Sequence, residues 1–357
     1  MEDASSRKRP QYWLGIAISL VCIIAILLII KPGDIWDVIR HARVEFLLLA
    51  FLGLIAFLVL RAIRWRFMLN GGWDSHQGIG YLKVFHVQNV GYLVTNILPF
   101  RLGDVARAVL IGNIPPITVG QGVSTVVVER VLDMLFIVVL FPFTIASAVD
   151  LPREWQTAVL LAGAISLAAS AVFIVAANKP ALSIRFVTWV CDRIKFLDTT
   201  KWVERFGNLL LGLDTLTRLK DALILLLLSI LVWVPLILGY YAGIRAVNLD
   251  VTISEAAFVV CIAAFSLAAP SSPGGLGVQE AAIAFAMSGV LKFPNDAAVS
   301  FALIYRALYY FLTGVLGIIG INRLGHTFGS VVASTRSLVG SDIDENREPV
   351  NPNEEIQ

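Results

Sequence analysis

The chain has 357 residues, of which 57% are hydrophobic and only 15% charged, with a mean hydropathy of +0.79 and a formal net charge of +2. An ordinary soluble domain is roughly 45–50% apolar and about 25% charged, so the composition excludes a soluble enzyme and identifies an integral membrane protein. Cys22, Cys191 and Cys261 are far apart, and His41, His76, His86 and His326 show no ligand spacing, so neither a disulfide framework nor a metal or other cofactor is expected; no basic, aromatic-interleaved patch outside the membrane suggests nucleic acid.

In chain order, six runs approach the roughly 20 apolar residues that cross a bilayer core: about 12–30, 46–69, 122–149, 156–177, 222–246 and 296–321. The first follows Arg7, Lys8 and Arg9 as a signal peptide would, but it is too long for one and lacks an A-x-A-like cleavage site. It is expected to be an anchor behind a cytoplasmic N-terminus of residues 1–11. Arg61, Arg64, Trp65 and Arg66 close the second run and are expected to hold a helix end at the headgroups.

Two stretches are poor crossings, Gly80 to Asn113 and Ser254 to Leu291. Each is a pair of short helical runs around a Pro/Gly break, too short singly to span. Backbone that leaves the helix at membrane depth is tolerated only against protein or a water-filled cavity, so both are expected to be re-entrant hairpins. Basic residues mark the cytoplasmic side, which puts both termini inside and has the first hairpin dip from the cytoplasm and the second from the opposite face. Lys31 to Arg43 conflicts with that orientation and is expected to be an interfacial helix.

The linker of about 179–220 carries Leu182, Phe186, Trp189 and Val190, then Trp202, Phe206, Leu209 and Leu213, at helical spacing among basic residues. Helices lying on an anionic leaflet and a packed cytoplasmic pair are both compatible with it. Residues 325–357 read as a cytoplasmic, mostly disordered tail. The whole is expected to be one membrane domain over 12–324, all-α, with about six full transmembrane helices and two re-entrant hairpins.

An internal repeat organises it. "PFRLGDVARAVL" (Pro99 to Leu110) aligns without gaps with "PGGLGVQEAAIA" (Pro273 to Ala284), and about thirty residues on "ERVLDM" faces "YRALYY", which makes Arg130 equivalent to Arg306. Copies that begin on opposite faces form an inverted-topology repeat, about 46–149 and 222–321, with a substrate cavity expected at the midplane beside broken helices. Gly274, Gly275 and Gly277 allow the break. A half-helix starting near Gly277 would then turn free N–H groups and its positive dipole end toward an anion. A tight packing turn explains the same glycines.

The apolar regions hold Arg101, Asp104, Arg107, Glu129, Arg130, Asp133, Glu280 and Arg306. Each ionisable side chain costs roughly 2.5–3.5 kcal/mol at the bilayer centre on insertion scales, so such residues face a cavity or a partner. Glu129 and Asp133 share a helix face, with Arg130 turned about 100° away. Arg101 and Arg306 are the expected substrate contacts, because guanidinium forks match phosphate. Glu280 is expected to pair with an arginine or to carry a proton, and a lattice of salt bridges is the structural alternative for all eight.

At "NILPFRLGDVARAVLI", "VVVERVLDM" and "PSSPGGLGVQEA" followed by "YR", the chain resembles the flippase-like transmembrane family named after the membrane region of lysylphosphatidylglycerol synthases. The resemblance covers roughly Tyr12 to Leu324 and implies a multi-helix membrane fold with lipid-facing cavities and a role in moving or holding charged-headgroup lipids. Since no synthase domain follows Leu324, aminoacyl transfer is not expected. The leading expectation is therefore a non-enzymatic lipid translocator in a bacterial or archaeal inner membrane. Its substrate would be a lipid with an anionic or zwitterionic headgroup. The alternatives are an accessory protein presenting a lipid carrier to a separate glycosyltransferase or lipid-modifying enzyme, and an ion-coupled small-solute carrier.

Overall fold

The structure, a computed structural model, describes residues 38, 40–72, 78–98, 102–149, 152–177, 188, 219–267 and 273–335. The expected first span, nearly all of the expected linker, residues 336–357 and Arg101 lie outside them. Among the described residues every regular element is helical: α1 Val44–Leu69, α2 Tyr81–Ile97, α3 Leu102–Gly112, α4 Val119–Ala148, α5 Arg153–Ala177, α6 Leu219–Ala246, α7 Ile253–Ser266, α8 Val278–Ala284 and α9 Asn295–Arg323. A single 3₁₀ turn at Pro273–Gly275 precedes α8 and a π-helical turn at Phe285–Val290 continues it.

Four helices are long and apolar enough to cross a membrane: α1, α4, α6 from Lys220, and α9. They coincide with four of the expected spans, and a fifth expected span, 156–177, lies within α5. The protein is an all-α polytopic membrane protein. Leu48, Leu52, Leu161, Ile165, Leu223, Phe285, Phe311 and Ile318 are each more than half exposed, which in this composition makes a lipid-solvated belt.

Contacts at the helix ends fix the polarity of each element. The backbone N–H of Arg43 donates to Ala246 O (2.9 Å), so α1 begins where α6 ends. At the other end Gly72 lies beside Asp221. The helices run antiparallel and close together, since a Cβ on Gly53 would come within 2.8 Å of Pro235 O and 2.9 Å of Gly239 Cα. Small residues permit that approach where no hydrophobic drive exists between helices in lipid.

The first hairpin enters and leaves beside the end of α1. The N–H of Ile79 donates to Asn70 Oδ1 (2.9 Å), and after the hairpin Gln121 Nε2 donates to Leu69 O (3.2 Å). We call this side the first face. From there α4 crosses to the second face, where Ser254 at the start of α7 bonds Thr144 O (3.5 Å). The second hairpin therefore enters from the second face, and Thr252 starts it with a reciprocal Thr–Glu255 cap. It returns there as well, because Phe301, early in α9, meets Tyr240, late in α6, with ring centroids 5.5 Å apart. The final helix, α9, ends at the first face, with Gly317 and Gly320 against Asn89 and His86 of α2.

Span, hairpin and span thus occur twice with opposite sense. The tips meet: Gly274 lies against Asn96 and the Tyr310 hydroxyl, and Asn96 Nδ2 donates to Thr313 Oγ1 (2.9 Å). Tyr310 is midway along the 29-residue α9. Residues 328–335, inside the expected tail, form a helix that buries Val331 and Thr335, so this part of the tail is packed.

Candidate functional site

The first-repeat charges are gathered by a close crossing of α2 and α3. A Cβ on Gly91 would strike the Arg107 side chain, and one on Gly103 would strike Gly91 O and Thr95. With only hydrogens there, Arg107 passes over α2 toward α4. Its guanidinium lies 4.1 Å from the Trp65 ring centroid and bonds Glu129 Oε2 (2.7 Å).

From α1, Arg61 reaches Glu129 through Nε (2.7 Å) and Asp133 through Nη2 (2.7 Å). One turn on, Arg64 Nη2 bonds Asp133 Oδ1 (2.8 Å) and Nη1 lies 3.4 Å from Ser229 Oγ. Glu129 and Arg64 are 0% exposed. The expected placing of Arg61, Arg64 and Trp65 at the headgroups is corrected. All three point into the protein, because Arg61 lies eight residues inside the end of α1, about 12 Å of helix rise, and the carboxylates of α4 wait at that depth. Arg66 alone reaches outward to the loop, donating to Ile79 O (2.9 Å).

On α4 the two carboxylates and Arg130, which lies about 100° around the helix from Glu129, address different neighbours. Glu129 and Asp133 take the arginines of α1 and α3, while Arg130 turns to Asp104 and forms a two-pronged pair, Nη2 to Oδ1 at 2.7 Å and Nε to Oδ2 at 3.1 Å. Arg130 is the accessible member, with 37% of its side chain exposed against 19% for Asp104 and none for Arg107.

Sequence reasoning missed Arg61 and Arg64 as part of this group. The available signal was their spacing of three, which puts both on one helix face, within an apolar run. Tyr92, from α2, was missed as well: its ring lies 5.9 Å from both the Arg61 and Arg107 guanidinium carbons.

Charge does not balance here. Among the described residues the group contains Arg61, Arg64, Arg107 and Arg130 against Asp104, Glu129 and Asp133, one positive charge in excess. Among the described residues, Arg64 Nε, Arg107 Nε and Arg107 Nη1 have no hydrogen-bond partner. A buried excess cation with open N–H groups is costly unless an anion or polar guest joins it.

In the second repeat Arg306 pairs with Glu280 (Nε to Oε1, 3.0 Å), donates to Gln279 Oε1 and Gly274 O, and stacks on Tyr310 at 4.6 Å. The expectation of open amides is corrected at Gly277 itself, whose N–H donates to Glu280 Oε2 (2.7 Å), so the carboxylate closes the first amide at the start of the half-helix. Gly274, Gly275 and Gly277 all have positive φ, at 64°, 74° and 83°, as the break requires. Arg306 is thus brought to the hairpin tips, while Arg107, Glu129 and Asp133 are locked in the first-repeat lattice.

Residues 12–317 match the family described as the lysylphosphatidylglycerol synthase TM region. A UPF0104 membrane protein of Methanothermobacter thermautotrophicus is 26% identical over 333 residues, covering 87% of this chain and 94% of that one. The UPF0104 membrane protein MJ1595 of Methanocaldococcus jannaschii is 25% identical over 313 residues, covering 85% and 91%.

Proposed function

The chain belongs to the lysylphosphatidylglycerol synthase TM region family, and from that premise we propose that it is a non-enzymatic lipid translocator of the cell membrane, with cytoplasmic termini, acting on lipids with a phosphate-bearing headgroup. Membership ties it to a lipid-related role in the membrane. The finer reading is carried by one observation, the excess positive charge beside two opposed hairpin tips. An anionic headgroup resting there would neutralise it, with Arg130 as the reachable fork and Arg306 steadying the facing tip. The acyl chains would stay in lipid. Rocking of one inverted repeat against the other would expose the headgroup alternately to the two faces.

The test is reconstitution of the full chain in liposomes with fluorescent phospholipid or polyprenyl phosphate. Scrambling should exceed that of empty vesicles, and Arg130→Ala should reduce it at least about tenfold, the scale of one lost charged hydrogen bond. Rates equal to empty vesicles for both lipid classes would end this reading. Flux-free copurification of a glycosyltransferase would favour lipid presentation instead.

A further inference from the structure

At the first face, the first two turns of α2, Ile114 and the end of α9 enclose a pocket of about 620 Å³. None of the ion-paired residues described above lines it. Its walls divide by chemistry: Lys83, His86 and Arg323 are basic, Leu82, Ile114, Ile319 and Leu324 are apolar, and among the described residues no acidic side chain lines it. Leu82 is 67% exposed and Ile319 42%, so the apolar wall opens outward on the side where lipid chains lie.

Three further features favour an anion in this pocket. His86 Nδ1 is buried with no hydrogen-bond partner among the described residues. The 17-residue α2 begins after Gly80 without a side-chain cap and has no acidic residue in its first turn, so among the described residues no side chain compensates its leading amides and positive dipole end. The opposing carbonyl end of α9 is closed, with His326 N–H donating to Ile321 O (3.1 Å) and Gly325 at φ 70° between them.

We propose that this pocket binds the phosphate of an anionic membrane phospholipid. Lys83 and Arg323 clasp the phosphate, the first turn of α2 faces it, and Leu82 and Ile319 pack on the chains. Basic pockets between helices at a membrane face have this preference, and a soluble anion would leave the exposed apolar wall without a partner. The site stands apart from the central charges, so it holds whether or not lipid is moved.

The full chain in detergent micelles should be titrated with acyl-labelled phosphatidylglycerol and with equally labelled phosphatidylcholine. Phosphatidylglycerol should bind at least tenfold more tightly. The double variant Lys83→Gln/Arg323→Gln alters two exposed side chains and should weaken that binding about 30-fold, with each charge worth about fivefold near an anionic surface. Should the double variant not fold, Lys83→Gln alone should show the fivefold loss. Three results would overturn the assignment: equal affinity for the two lipids, binding by the variant within twofold of wild type, or displacement of phosphatidylglycerol by millimolar inorganic phosphate, which would mark a free-anion site.

Discussion

In the first repeat the arginine of the span that follows the hairpin, Arg130, is met by Asp104, the third residue of α3; in the second, Arg306 is met by Glu280, the third residue of α8. The surroundings of the two latches differ. One residue before and three after the arginine, the first repeat places Glu129 and Asp133 and the second places Tyr305 and Tyr309. The first is held by a buried ionic lattice that keeps one cation in excess. The second is held by aromatic packing, with the Tyr240 and Tyr305 rings 4.2 Å apart. An inverted repeat can therefore keep the same latch while, among the described residues, one copy carries unbalanced charge and the other does not.

That contrast is tested most severely at Glu129. Glu129→Ala leaves Arg61 and Arg107 buried beside a cavity and should destabilise by about 3–5 kcal/mol, read as a loss of thermal stability in detergent. The equivalent Tyr305→Phe removes a hydroxyl that has no hydrogen-bond partner among the described residues, and should change stability by less than about 0.5 kcal/mol. Comparable losses in the two variants would erase the distinction between ionic and aromatic support.

The latches themselves come next. A double-mutant cycle on Arg306 and Glu280, whose side chains are 11% and 5% exposed, should give a coupling of about 1–3 kcal/mol. The same cycle on Arg130 and Asp104 should give about 0.5–1 kcal/mol, because that pair is the more exposed of the two, at 37% and 19%. A reversed order would mean that Arg130 is not the accessible fork.

An effect of similar size is expected at the tip of the second hairpin. Gly274→Ala places a side chain at φ 64° and pushes it into the Tyr310 hydroxyl, and should cost about 1–2 kcal/mol. Adding Tyr310→Phe should recover the steric part and leave the backbone part. No recovery would show that contact with Tyr310 does not limit the turn.

Much of the architecture was legible because the bilayer imposes a coarse and reliable rule: apolar runs of sufficient length cross, and short runs broken by Pro and Gly do not. The hairpins at 80–113 and 254–291 followed from that rule alone. The pairing of Asp104 with Arg130 was not legible, since the gap-free alignment sets Asp104 opposite Val278 and only the helix positions set it opposite Glu280. Arg61 and Arg64 were misplaced for a related reason. An arginine near the end of an apolar run can reach headgroups or turn inward, and its own sequence neighbours are the same in both cases.

Sequence by itself determined the solvent, the position of four long apolar spans and the two breaks, because each depends on the local balance between transfer energy and backbone hydrogen bonding. Tertiary structure alone decided which cations meet which carboxylates, that the Gly277 N–H is taken by Glu280 rather than left open, and that among the described residues one positive charge remains unmatched around Glu129. Those outcomes depend on distances between helices far apart in the chain, set here by the close Gly91–Gly103 and Gly53–Gly239 crossings, and no local pattern encodes such distances.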